Sequence, residues 1–98
     1  MKITAAVLDA IGAVGPLAET QPMRLAALDL APPRDGELLV KIDACGLCHS
    51  DLSVVNGDRP RPMPMAIGHE AAATVLQSSP GSSFAPGDRV VLAFLPSC

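Results

Sequence analysis

Hydrophobic and polar positions alternate most cleanly from Glu37 to Ala44, where Leu38, Val40 and Ile42 fall on one side and Glu37, Leu39, Lys41 and Asp43 on the other. A period of two predicts a strand with one face toward a core. Lys2 to Ala10 reads as a second strand, with β-branched Ile3, Thr4 and Val7, and Met23 to Leu30 as a third with imperfect alternation. The apolar run Ala71 to Leu76 predicts a buried strand, and Arg89 to Ala93 a last one. Turn chemistry separates them: Ile11 to Pro16, then Pro32-Pro33-Arg34-Asp35-Gly36, then Ser78 to Pro86. Helical spacing is confined to one short stretch, where Ser50 or Asp51 can cap, Leu52 and Val55 lie three apart, and Asn56-Gly57 supplies a stop. Asp58 to Met65, with three prolines and two arginines, predicts an irregular loop. Short strands, many turns and one short helix argue for a mainly β fold, an open barrel or mixed sheet.

Composition sharpens this picture. Ninety-eight residues suit one domain, and with 49% hydrophobic residues but only Phe84 and Phe94 as rings, the core must be aliphatic. A formal net charge of −3 with seven scattered basic residues offers no basic stripe, which argues against nucleic acid as a partner. No stretch approaches the roughly 20 apolar residues of a membrane span, and Asp9 interrupts the only mildly apolar run at the amino terminus. The expectation is a cytoplasmic protein with no membrane partner, its three cysteines kept reduced.

Chemistry concentrates between Asp43 and Glu70. Cys45 and Cys48 lie three apart, His49, Ser50 and Asp51 follow at once, and Gly68-His69-Glu70 arrives after the proline-rich loop. Thiolate sulfur and imidazole nitrogen are donors that zinc takes in tetrahedral sites, and nearby carboxylates can orient the imidazole. Three readings of the cysteine pair stay open: a redox dithiol, a zinc knuckle using both sulfurs, or Cys48 as a ligand with Cys45 a small buried hydrophobe at the end of its strand. His69 alone is weak evidence of a ligand; its place between Gly68 and Glu70, 21 residues beyond Cys48, strengthens it. Ser50 reads equally as a cap, Asp51 as a charge favouring the helix dipole, and His49 as a solvated loop residue.

Taken together, Gly46-Leu47-Cys48-His49-Ser50-Asp51, Gly68-His69-Glu70-Ala71-Ala72, Pro86-Gly87-Asp88-Arg89-Val90 and Pro96-Ser97-Cys98 resemble the zinc-dependent alcohol dehydrogenases of the medium-chain dehydrogenase/reductase superfamily. The resemblance covers essentially the whole chain. It implies a GroES-like open β-barrel with one short helix, residues 1–98 forming the amino-terminal part of the catalytic domain, an incomplete fragment without the Rossmann coenzyme domain. It further implies that Cys48 and His69 bind a catalytic zinc whose third protein ligand lies later in the chain, with Glu70 close behind the metal. Asp51 would accept a hydrogen bond from the zinc-bound imidazole, Ser50 would receive the substrate hydroxyl's proton, and His49 would sit near the coenzyme's pyrophosphate. Cys98 matches the first of four cysteines that hold a second, structural zinc. The implied activity is oxidation of an alcohol to an aldehyde or ketone with NAD or NADP, in a homo-oligomer. Two departures stand out: Ser53 occupies a position that is often a relay histidine, and Ala73 one that is commonly glycine. The alternatives are a non-catalytic structural or interaction module and a small dithiol redox protein using Cys45 and Cys48.

Overall fold

The computed structural model describes residues 1–12 and 14–93, and Cys98 lies outside this range. The described residues are mainly β, with elements β1 (Lys2–Leu8), α1 (Leu17–Thr20), β2 (Met23–Asp29), β3 (Leu38–Cys45), α2 (His49–Asn56), β4 (Met65–Ala66), β5 (Ala71–Ser78) and β6 (Arg89–Leu92). They fall into two compact units, one holding Lys2–Asp29 and Leu47–Gly68, the other Met1, Leu30–Gly46 and the residues from His69 on. Each unit contains one three-stranded antiparallel sheet.

In the first of these units the strand order is β2-β1-β4. β1 and β2 pair from Lys2 opposite Asp29 to Leu8 opposite Met23. An ion pair between Lys2 and Asp29 (2.8 Å) closes one end of the ladder. Beyond the other end, Arg24 Nε donates to Asp9 Oδ2 at 2.7 Å, and this hydrogen bond, more than the charge, holds the Asp9 carboxyl below the usual carboxylate range. The connection between the two strands contains α1, a single turn absent from the sequence expectation. Pro16 opens it, and Gln21 in the left-handed region (φ 42°) followed by Pro22 ends it.

α2 packs its buried Val54 and Val55 with the fully buried Leu8, and Met23, Met63, Met65 and Ile67 close around them. The expected stop is found at Gly57, whose φ of 87° lets its N–H reach back to Ser53 and Val54. The start differs: Cys48 is the N-cap, two residues ahead of Ser50. The loop expected from Asp58 to Met65 gives way at its end to β4, because Ala66 and Met65 pair with Val7 and Leu8 of β1. Two residues carry no periodicity, so only the distant partner strand reveals them.

In the second unit the order is β3-β5-β6. β5 runs through the centre, and its Ala73 and Val75 are almost fully buried. β3 begins one residue later than expected and carries irregularities between Leu39 and Val40 and between Ile42 and Ala44. Those bulges break the simple alternation. Ile42, expected on the apolar face, is 50% exposed, and Cys45 is exposed rather than buried. Thr74 donates to Asp43 Oδ2 at 2.7 Å across the β3–β5 pair. The turn before β6 is fixed by Asp88, whose side chain accepts the Ala85 N–H while its carbonyl accepts that of Val75.

Candidate active site

One turn of α2 gathers most of the candidates from the first half of the motif region. Cys48 caps the helix from an extended backbone (φ −116°, ψ 146°), and its N–H donates to Asp51 Oδ2 at 3.4 Å, the reciprocal arrangement of a capping box. The Ser50 hydroxyl donates to Cys48 Sγ at 3.2 Å. A hydroxyl proton aimed at sulfur, together with the positive end of the helix, is an environment that suits a thiolate, the form in which cysteine binds metal. Cys48, Ser50 and Asp51 are half-buried, whereas His49 is exposed.

Ser53 stands one helical turn beyond His49. Its hydroxyl donates to the His49 carbonyl at 3.2 Å and lies 3.5 Å from Nδ1 of the His49 ring. The spacing of four along a helix was the signal available for this contact.

The remaining candidates enter at the start of β5, in the other unit. His69 is partly buried, with its side chain 22% exposed, and Nε2 lies 3.8 Å from Glu70 Oε1. Glu70 is held through its backbone: its carbonyl accepts the Gly46 N–H at 2.8 Å, extending the β3–β5 ladder by one bond. Gly68 takes a φ of 114°, a conformation open to glycine and strained for other residues, which accounts for the glycine in Gly68-His69-Glu70. Cys45, the other member of the cysteine pair, ends β3, with its thiol donating to the Gly46 carbonyl at 3.7 Å. Cys98, expected as a structural-zinc ligand, lies outside the described residues. The donors supplied, a thiol, an imidazole and a carboxylate, are the types zinc takes in catalytic sites.

The sequence model of the alcohol dehydrogenase GroES-like domain matches residues 34–98. The chain belongs to this family. A putative alcohol dehydrogenase D of Mycobacterium tuberculosis is 43% identical over 99 aligned positions, which take in 100% of this chain and 25% of the relative. Among solved structures, an alcohol dehydrogenase zinc-binding domain protein from Burkholderia ambifaria superposes with a TM-score of 0.84 at 37% identity, covering 100% of this chain and 24% of that one. A mycobacterial protein complexed with NADPH gives a TM-score of 0.74 at 34% identity, covering 90% and 25%. The GroES-like, mainly β fold expected from the sequence is therefore found, and the chain spans about a quarter of the length of the relatives it matches. Among the described residues, no helix is long and apolar enough to cross a membrane.

Proposed function

We infer that this chain supplies the ligand-bearing part of a zinc-dependent alcohol dehydrogenase that passes a hydride from an alcohol to NAD or NADP. The observation that carries the reading is the 43% identity to an alcohol dehydrogenase across the whole chain, coupled with the sulfur of Cys48 being seated at a helix N-terminus under the Ser50 hydroxyl. Cys48 and His69 would hold the zinc, with Glu70 behind it and a third protein ligand from elsewhere in the protein. Zinc in such a site acts as a Lewis acid that stabilises the deprotonated alcohol.

The chain's own residues divide the remaining work. Ser50 hands the substrate's hydroxyl proton outward, and its present bond to Cys48 Sγ keeps that hydroxyl beside the ligand sulfur. On the family resemblance, Asp51 would accept a hydrogen bond from the zinc-bound imidazole and fix its tautomer, while its other task is visible in the capping box with Cys48. His49, exposed on the first turn of α2, contacts the coenzyme's pyrophosphate. Nicotinamide binding belongs to a separate domain, since these residues contain no glycine-rich phosphate turn. Cys98 would begin a structural-zinc cluster. Cytoplasmic residence, a small alcohol or aldehyde as substrate and a homo-oligomeric assembly complete the proposal.

Replacing Cys48 by Ser or His69 by Ala in the intact protein tests it. Zinc content by atomic absorption should fall in both, and kcat/KM for alcohol oxidation should drop by about 10²-fold or more, the scale of removing a principal electrostatic contribution. Retention of zinc and of activity in either variant would show that the metal is held elsewhere.

A further inference from the structure

Three of the chain's four methionines surround one small core. Leu8, fully buried in the middle strand β1, lies opposite Met23 of β2 on one side and opposite Met65 of β4 on the other, so that a row Met23–Leu8–Met65 crosses the sheet. Met63, Met65 and Met23 are each half-buried, and together with Ile67 they close the cluster formed by Leu8 with Val54 and Val55 of α2. Those two valines are the buried residues of α2. The helix is thus seated on a core of three aliphatic side chains rimmed by half-buried methionines.

We propose that this methionine row is a peroxide-sensitive seat for α2. The chemistry balances without any group from the protein beyond the sulfur. A thioether lone pair attacks hydrogen peroxide, an S–O bond forms as the O–O bond breaks, and the second oxygen leaves as water; the sulfur loses two electrons and the peroxide gains them. The product is polar and stiffer than the thioether, and its oxygen requires a hydrogen-bond partner that Leu8, Val54 and Val55 do not provide. Met23 and Met65 flank Leu8 on both sides, so oxidation of either one opens the same core to water. The seat weakens first at the helix, whose two buried residues, Val54 and Val55, both belong to this core. That α2 also carries Cys48 and Ser50 ties the switch to the proposed site, a consequence that rests on the dehydrogenase reading; the effect on the helix itself does not.

The test treats the intact protein with hydrogen peroxide, then with dithiothreitol to reverse cysteine oxidation, and compares it with Met23→Leu/Met65→Leu, a volume-conserving pair. Mass spectrometry of peptides should find one added oxygen on Met23 and Met65. The unfolding midpoint of the treated protein should fall by roughly 2–4 °C, amide exchange in α2 should accelerate, and methionine sulfoxide reductases should restore both. The double variant, which keeps every cysteine, should show neither change. Resistance of both methionines to oxidation, an unaltered midpoint and exchange after oxidation, or an equal loss in the leucine variant would each overturn the proposal. None of these readouts depends on alcohol oxidation, so a failed dehydrogenase assay leaves the test intact.

Discussion

At the scale of single residues, the motif Gly68-His69-Glu70 is governed by backbone conformation before it is governed by chemistry. With φ at 114°, Gly68 sets the direction in which the chain leaves the proline-rich loop and places His69 two residues ahead of β5. A Cβ there strains the backbone by about 1–3 kcal/mol. Gly46 makes the complementary case: its φ is ordinary, and an added Cβ would meet Glu70 atoms at 3.5 to 3.8 Å, normal packing distances. We therefore expect Gly68→Ala to lower the unfolding free energy of the intact protein by about 1–3 kcal/mol in denaturant titrations, and Gly46→Ala to change it by less than about 0.5 kcal/mol. Equal stability of the two variants would show that the glycine before the histidine serves something other than conformation. The two cysteines divide in the same way. Both were legible as candidates, but spacing could not say that Cys45 is exposed while Cys48 is a half-buried helix cap, because exposure depends on partners distant in sequence.

At the scale of elements, the periodic signals held where one face of a strand or helix is covered and weakened where it is not. β5 shows the first case. Its run of apolar residues reads as buried, and Ala73 and Val75 are, at 0% and 1% exposure, while Leu76 at the end of the run is 46% exposed. β3 shows the second, since bulges near Ile42 turn that side chain half outward despite the best alternation in the chain. α1 and β4 were not legible because one is a single turn set by flanking prolines and the other exists only through pairing with β1. Among the candidate site residues, Cys48, Ser50, Asp51 and His69 were singled out from motif spacing, while the Ser53 contact with His49 was not, its i, i+4 relation being overshadowed by the departure from histidine. Burial then orders the energetics. Val75→Ala removes two buried carbons from the central strand and should cost about 2–3 kcal/mol, transfer and cavity together. Val91→Ala, on β6 and 80% exposed, should cost less than about 0.5 kcal/mol. Thermal or chemical unfolding of the intact protein separates them, and a large effect at Val91 would mean that its face is covered in the folded protein.

At the scale of the whole molecule, the two sheets carry different parts of the donor set: the unit of β1, β2, β4 and α2 presents Cys48, and the unit of β3, β5 and β6 presents His69 and Glu70. Catalytic zinc takes three protein ligands plus water or substrate, and the family resemblance assigns the third to a later cysteine. The chain spans about a quarter of the length of the matched relatives. On the function proposed above, a polypeptide limited to residues 1–98 would lack one ligand, a loss that exceeds the 10- to 100-fold in affinity typical of removing a mere supporting hydrogen bond. It also lacks any glycine-rich turn for the coenzyme's phosphates. Such a polypeptide should bind zinc at least about 10²-fold more weakly than the intact protein in competition with a chromophoric chelator under reducing conditions. It should also reduce no NAD or NADP with any alcohol. Zinc affinity equal to that of the intact protein would mean that the ligands within these 98 residues suffice, and measurable turnover would mean that the hydride acceptor binds here rather than on a separate domain.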